Sequence, residues 1–276
     1  MRAELRAGLG FGRLPFLALG ALLAVFLLLP LLVIVPTSWT SGMLIEFPPR
    51  GFSLQWYDRM LADPTWTDPL KVSLKVAGLA ALLATFFGTT AALGMRRLVA
   101  GRSSALIRSL FILPMAIPYV SYALGVYNLF LDLPAGLSDT IVPLVLAQAL
   151  ITFPLVYIVV SGALSGVDPR LASAASTLGA RWPTIVWRIE LPLVRPAILA
   201  GALFAFATCF DEAVLAIFLA PIDEVTLAQQ LYRSANEAIA PTLSAVSTSI
   251  TLLAILVLGV ATLIGRRAGT RNGGTA

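Results

Sequence analysis

Residues 168–196, DPRLASAASTLGARWPTIVWRIELPLVRP, form a polar, arginine-bearing segment between two long apolar runs. Asp168 can cap a helix that begins at Pro169, and Gly179 can end it in the left-handed conformation that glycine tolerates best. Small or aliphatic residues recur at i, i+3, i+4 and i+7 and give this helix an apolar face: Leu171, Ala174, Ala175 and Leu178. Such a face suits docking into a groove of another protein. We therefore expect function to depend on this segment, called the elbow below.

The second half of the elbow begins at Trp182, where the chain restarts as a short helix. We expect Leu191 and Pro192 to close that helix, because proline lacks the N–H that a continuing helix needs. Arg188 and Glu190 near its end are interpreted most simply as solvated charges. The elbow is thus predicted to be two short helices with polar surroundings.

The composition of the chain is that of a membrane protein. Of its 276 residues, 58% are hydrophobic and 12% are charged, and the mean hydropathy is +0.90. Uncharged runs of about 18–20 residues or more are long enough to cross a bilayer core. We predict an all-α membrane protein with six transmembrane helices, at about 14–35, 73–95, 105–131, 140–164, 197–219 and 242–264.

Prolines fall inside two of the predicted spans. Pro114 and Pro118 lie in the third, and Pro143 and Pro154 lie in the fourth. A proline removes a backbone hydrogen bond and kinks or breaks a helix, which a membrane tolerates where neighbours satisfy the freed carbonyls. Broken helices often line a pathway, and ordinary packing kinks account for the same pattern.

The basic residues indicate the topology. With the amino terminus in the cytoplasm, 14 of the 19 Lys and Arg residues lie on the inner side, as the positive-inside rule predicts. The net charge of +5 is therefore interpreted as a topology signal and not as a nucleic-acid signal. We predict a cytoplasmic amino terminus at 1–13, a transmembrane domain at 14–264, and a cytoplasmic tail at 265–276. The elbow lies on the cytoplasmic side in this arrangement.

The chain lacks the residues of several kinds of chemistry. It contains no histidine and one cysteine, Cys209, which excludes His-ligated zinc sites, His-based triads and an intrachain disulfide. No Walker A sequence and no soluble domain are present, so we predict no metal, no cofactor and no nucleotide site in this chain. A membrane hydrolase or metalloprotease is disfavoured.

Asp211 and Glu212 are the only acids inside a predicted span. An ionised carboxylate there costs about 2.5–3.5 kcal/mol, so it faces a cavity or a partner. Either one of them lines a cation pathway, or both lie near the outer end of the fifth span, hydrated or paired structurally. Tyr119, Tyr122 and Asn128 on the third span either contact an ammonium group or belong to packing and an interfacial belt.

The elbow resembles the signature of a known family. The inner-membrane permease subunits of binding-protein-dependent ABC importers share the pattern E-A-A-(x)3-G-(x)9-I-x-L-P. Here the spacing agrees at every position, and serine replaces the glutamate; the matching residues are Ser173, Ala174, Ala175, Gly179, Ile189, Leu191 and Pro192. Residues 51–57, 113–118 and 210–212 also resemble the family, most closely the second permease subunit of its spermidine/putrescine branch.

The resemblance implies the six-helix type I permease architecture, with the elbow as a coupling helix in a cleft of a cytoplasmic ATPase. It implies that Ser173 occupies the slot of the family's acidic residue, without the carboxylate for a salt bridge. The full set of residues that it implies for ATPase coupling is Leu171, Ser173, Ala174, Ala175, Leu178, Gly179, Leu191 and Pro192.

The implied protein is a non-catalytic transport subunit of a bacterial inner membrane, surrounded by lipid, with both termini in the cytoplasm. Its expected partners are a second permease subunit, most simply in a heterodimer, two ATPase subunits that hold ATP and Mg²⁺, and an outer solute-binding protein. Polyamine is the expected substrate. Ferric iron, an aminophosphonate or another small solute are alternatives within the same architecture, and a passive channel or a membrane enzyme are alternatives outside it.

Overall fold

Every regular element in the part of the chain that the structure describes is helical, which confirms the predicted all-α class. The computed structural model describes residues 4–97, 102–131, 136–237 and 240–272. A 3-10 turn, Leu113–Ala116, and a π turn, Val186–Glu190, accompany the α-helices. The α-helices are α1 (Glu4–Thr37), α2 (Gln55–Ala62), α3 (Pro64–Met95), α4 (Arg102–Ile112), α5 (Tyr119–Leu131), α6 (Val142–Ser165), α7 (Pro169–Thr177), α8 (Trp182–Ile185), α9 (Leu191–Phe210), α10 (Val214–Leu219), α11 (Leu227–Glu237) and α12 (Pro241–Asn272).

Four helical stretches among the described residues are long and apolar enough to cross a bilayer: Pro15–Thr37, Pro64–Met95, Val142–Ser165 and Trp182–Phe210. A bent pair, Ser104–Ala116 and Tyr119–Leu131, is a fifth if its two arms count as one span. The predicted span at 242–264 falls in α12, where Pro241–Leu256 is a shorter apolar helix. The count of six spans therefore stays a prediction.

Three helices extend beyond the predicted apolar runs. The helix α1 begins at Glu4 and α12 continues to Asn272, so helical backbone enters both segments that were predicted as termini. The helix α3 begins at Pro64 because Asp63 caps it, with the Thr65 amide donating to the Asp63 carboxylate over 2.8 Å. Hydrogen bonds from Thr65 hold the pKa of the Asp63 carboxyl below its ordinary value. Hydropathy marks the apolar part of a helix and not its caps.

The third predicted span, 105–131, is broken. Its two arms meet at 97°, and Ile117 between them has an extended backbone, as expected for a residue that precedes proline. The helix α6, in contrast, runs unbroken through Pro154, and Pro143 lies in its first turn, where no intrahelical N–H bond is lost. The sequence predicts a kink or break in the third and fourth spans, and of these two only the third is broken.

The prediction that Leu191 and Pro192 close the second helix of the elbow is wrong. Helical backbone runs from Trp182 to Phe210, and the membrane helix predicted at 197–219 instead ends at Phe210. The wide turn Val186–Glu190 makes this possible, because the Leu191 amide donates to the carbonyl five residues back. Such a turn changes the hydrogen-bond register just before Pro192, whose own N–H is missing. The second half of the elbow is therefore the beginning of a membrane helix.

The helices α3, α6 and α9 pack against one another around one core. Small residues line the contact and let the backbones approach closely, as in other membrane bundles. A Cβ atom added to Gly88 of α3 would lie 2.8 Å from the Val156 Cβ atom of α6, and one added to Gly201 of α9 would lie 3.3 Å from a Val156 methyl group. The core members with little or no exposure include Ala81, Ala84, Val156, Val160, Val194 and Ala205.

The chain divides into two compact units, and this core lies in the unit made of Asp63–Asn236 and Thr251–Ala276. The other unit, Met1–Ala62 with Glu237–Ile250, has contacts of its own. In it the Trp56 indole donates to the Thr40 carbonyl over 2.8 Å, and the Thr37 hydroxyl donates to the Ser244 hydroxyl over 3.4 Å. These bonds join the end of α1, α2 and the beginning of α12.

We predict that Gly88→Ala lowers the stability of the detergent-solubilised protein by about 1–3 kcal/mol, because the new methyl group overlaps Val156. The measurement is the midpoint of thermal unfolding. Gly78→Ala in the same helix is the matched control, since its added Cβ meets no atom within 4 Å; alanine there is expected to be neutral or slightly stabilising. Equal midpoints for the two variants would contradict the close approach of α3 and α6.

Candidate functional site

The helix α7 has the two caps that the sequence predicts. The Asp168 carboxylate accepts the Arg170 amide over 2.8 Å at its beginning. At its end Gly179 has φ +82°, and the Ala180 amide donates back to the Ala175 carbonyl over 3.0 Å. These are the bonds of a Schellman motif, which needs a residue with positive φ at this position. Local sequence therefore determines both ends of α7.

The apolar face of α7 is exposed. Within this helix no residue is buried, Leu171 is 47% exposed, and Leu178 just after it is 89% exposed. Ala174 is exposed and Ala175 is half-buried. The exposed Ser173 hydroxyl donates to the Pro169 carbonyl one turn back. An exposed apolar face bounded by polar residues is typical of a protein contact surface.

The remaining two of the predicted coupling residues lie elsewhere. Leu191 and Pro192 are at the beginning of α9, where Leu191 packs against the core of α3, α6 and α9. The structure therefore separates the predicted set into an exposed group on and next to α7 and a partly buried pair at the root of the elbow.

The interpretation of Glu190 as a solvated charge is wrong. Its side chain is 8% exposed and its carboxylate lies 3.3 Å from Nε of Arg96 at the end of α3. The same guanidinium donates to the carbonyls of Leu164 and Val167, the latter over 2.9 Å. Arg188 in the same turn is exposed, as predicted. The helix continues through Glu190 into α9 and does not end at Pro192, and Glu190 lies on its inner side. An expected helix end at Pro192 places Glu190 in solvent instead.

A second arginine at the end of α3 contacts the elbow. The Arg97 guanidinium carbon lies 4.9 Å from the ring centroid of Trp182, a cation–π geometry. Both side chains are exposed at least in part. Two consecutive arginines, Arg96 and Arg97, thus reach the elbow from one helix end.

Asp211 and Glu212 lie where the helix stops. Asp211 is exposed and is the first of three residues between the end of α9 and the beginning of α10, and Glu212 is the second. The Glu212 carboxylate accepts the amides of Val214 and Leu215 over 2.9 and 2.7 Å. A carboxylate in this position satisfies the free N–H groups of the short helix that follows. Glu212 therefore has a structural role, whatever else it does.

The three candidate residues of the third span, Tyr119, Tyr122 and Asn128, have different surroundings. Tyr119 is the first residue of α5 and is 38% exposed. The Tyr122 hydroxyl donates to the Ala147 carbonyl of α6 over 3.1 Å, so it packs between helices. Asn128 is exposed and donates to the Leu124 carbonyl of its own helix. The structure therefore gives Tyr122 a partner on another helix and leaves Asn128 bonded within its own helix.

A buried polar group lies near the break that follows Phe210, and its members are not among the predicted site residues. Thr152 of α6 and Cys209 of α9 are in contact, with 3.6 Å between hydroxyl oxygen and sulfur. One turn before Thr152, Gln148 is 1% exposed, and its side-chain oxygen accepts no hydrogen bond from the described residues. A lone glutamine in an apolar run is the only sequence signal for this group.

Comparison with known proteins identifies the family. The family model described as "Binding-protein-dependent transport system inner membrane component" matches residues 84–270, which include the elbow and most of the core. The chain belongs to this family. It is a permease subunit of an ABC importer, as the resemblance of the elbow implies.

Curated relatives match the permease over most of its length. It is 28% identical to the spermidine/putrescine transport system permease protein PotC of Haemophilus influenzae, over 88% of this chain and 93% of the relative. It is 29% identical to the putrescine transport system permease protein PotI of Escherichia coli K12, over 87% and 84%. Among solved structures, a bacterial ABC transporter involved in alginate import is similar with a TM-score of 0.73 at 14% identity, over 98% of this chain and 99% of the other. That last similarity concerns the fold alone.

We predict that Gly179→Ala loosens α7, because a left-handed backbone costs a non-glycine residue about 1–2 kcal/mol. Amide hydrogen exchange in Pro169–Thr177 is then expected to be about 5–30 times faster. Gly166→Ala is the matched control, since Gly166 has φ −82° and tolerates a side chain. Unchanged exchange in the Gly179 variant would mean that the Schellman motif does not hold α7.

Proposed function

We propose that this permease forms half of a translocation pathway for a polyamine and that α7 is its docking element for a cytoplasmic ATPase. The observation that carries the docking assignment is the exposed, double-capped α7 with its small apolar face. The substrate class is supported by the similarity of nearly the whole chain to permeases named for spermidine and putrescine.

The partners follow from this role. Two ATPase subunits supply the energy and hold ATP and Mg²⁺, since no nucleotide motif occurs in this sequence. A solute-binding protein delivers the substrate from outside, and a second permease subunit completes the pathway as a heterodimer. The chain crosses the bacterial inner membrane six times in this proposal, with both termini and the elbow in the cytoplasm, as its basic residues favour.

Transport in this arrangement is alternating access. Closure of the ATPase pair around ATP moves α7, and the paired permeases open toward the loaded binding protein. Hydrolysis releases the pair and returns the pathway to its inward-open state. The residues proposed to meet the ATPase first are Leu171, Ala174, Ala175 and Leu178, with Ser173 and Gly179 beside them. Leu191 and Pro192 act at the root of the elbow, where movement of the docked part reaches α9.

The substrate pathway is proposed to pass the helix break at Asp211. Asp211 offers an exposed carboxylate at the end of α9, and Tyr119 offers an exposed aromatic ring at the beginning of α5. Carboxylates and an aromatic ring are the groups that bind an ammonium ion. Tyr122 and Asn128 stay secondary candidates, because both donate to backbone carbonyls.

For the docking element, we predict that a Leu171→Ser/Leu178→Ser double variant lowers the amount of ATPase that co-purifies with the permease by at least about tenfold. Each leucine loses about 1.5–3 kcal/mol of apolar burial in the complex, and 1.4 kcal/mol is a tenfold change. Leu61→Ser changes a comparably exposed leucine on α2 and is expected to leave co-purification intact. Full association of the double variant at normal membrane insertion would refute docking through α7.

For the substrate, we predict ATP-dependent uptake of radiolabelled spermidine into proteoliposomes that contain the complete transporter and its binding protein. Asp211→Asn is expected to raise the KM for transport about tenfold, since one charged contact is lost. Asp58→Asn, an exposed acid on α2, is the control. Normal kinetics in Asp211→Asn would remove this residue from the pathway. Uptake of ferric iron or an aminophosphonate without uptake of spermidine would overturn the polyamine assignment.

A further inference from the structure

The contacts between the elbow and the core converge on one helix end. The helix α7 buries none of its residues, so its attachment depends on the segments before and after it. Val167, directly before the Asp168 cap, gives its carbonyl to the Arg96 guanidinium over 2.9 Å. Glu190, in the wide turn of the elbow that directly precedes α9, faces the same guanidinium at 3.3 Å. Arg96 thus contacts the chain before α7 and the second half of the elbow at once.

The bonds of Arg96 also join three membrane helices. Arg96 directly follows the last turn of α3, Leu164 lies in the last turn of α6, and Glu190 directly precedes α9. A helix leaves its last four carbonyls without intrahelical partners, and a guanidinium can supply several donors in fixed directions. Arg96 therefore adds a side-chain donor to the Leu164 carbonyl in the last turn of α6, donates to the Val167 carbonyl beyond it, and neutralises a buried acid before α9.

A lysine could not reproduce this arrangement. An ammonium group carries the same charge, but it lacks the planar fork that directs separate N–H groups to Glu190, Leu164 and Val167. The partly exposed contact of Arg97 with Trp182 adds a second link from α3 to the beginning of α8. The link is peripheral, because the ring is 42% exposed.

The geometry points to Arg96 as the positioning residue that transmits displacement of the coupling elbow to α3, α6 and α9, with Glu190 as its counter-charge and Arg97–Trp182 as an auxiliary link. This inference rests on the proposed docking role of α7. A docked helix that moves with the ATPase must pull on the core through the chain segments before and after it, and Val167 and Glu190 in those segments both contact this guanidinium. Loss of the planar Arg96 guanidinium leaves the docking surface of α7 intact and weakens the connection between the elbow and the core helices.

The test uses the complete transporter in proteoliposomes with spermidine, and it compares three quantities: ATPase co-purification, ATP hydrolysis stimulated by the loaded binding protein, and uptake per ATP hydrolysed. For Arg96→Lys and for Glu190→Gln we expect normal co-purification and a fall in uptake per ATP of about fivefold or more, the range of a typical coupling between sites. Trp182→Leu, at an exposed position, is expected to lower the same ratio about twofold. Arg195→Lys, at an exposed position on α9 that does not contact Arg96, Leu164 or Val167, is the matched control.

A merely structural role gives a different result, because less folded protein lowers hydrolysis and uptake together and leaves their ratio unchanged. An unchanged ratio in Arg96→Lys and Glu190→Gln would overturn the inference. If Glu190→Gln fails to assemble, Arg96→Lys and Trp182→Leu decide, since neither leaves a buried charge without a positive partner. Failure of the proposed function is distinct: the Leu171→Ser/Leu178→Ser variant would then keep its ATPase, or the unmodified transporter would take up no spermidine.

Discussion

In the hydrocarbon of a bilayer, every backbone N–H and C=O group must find its partner within the protein. This constraint accounts for the all-helical fold and for each place where a helix departs from regularity. At the break after Phe210, the Glu212 carboxylate accepts hydrogen bonds from two amides of α10. The end of α6 is accompanied by Arg96, which donates to two carbonyls. At these two helix ends a charged side chain bonds to backbone groups where the regular helix stops.

The same constraint shapes the helix contacts. Lipid tails are as apolar as leucine, so helices gain little from hiding apolar side chains and associate instead through close packing. Gly88 and Gly201 both face Val156, and alanines fill much of the remaining contact among α3, α6 and α9. The result is a narrow core with large side chains directed outwards, which is the reverse of a water-soluble bundle.

The sequence predicts the roles of residues that bond to their own turn, and it does not predict contacts between residues far apart in the chain. Asp168 and Gly179 act on their own turn, so their cap roles were predicted correctly. The elbow motif and its spacing led to the family, which the match over residues 84–270 bears out. The prediction that Glu190 is solvated fails because its partner, Arg96, is far away in the chain and because the helix does not stop at Pro192. Proline alone does not reveal whether a wide turn will carry the helix past it.

The wide turn Val186–Glu190 has a consequence for how this segment can change over evolution. A π turn holds one more residue than the α turn it replaces, and one residue corresponds to about 100° around a helix axis. Deletion of a single residue between Trp182 and Leu191 would remove that surplus, convert the wide turn into an α turn and leave α8 and α9 in about their present orientations. The same deletion inside the regular helix α3 or α6 would rotate the two parts of that helix against each other by about 100°, so the wide turn is expected to tolerate the loss of a residue better than those helices do.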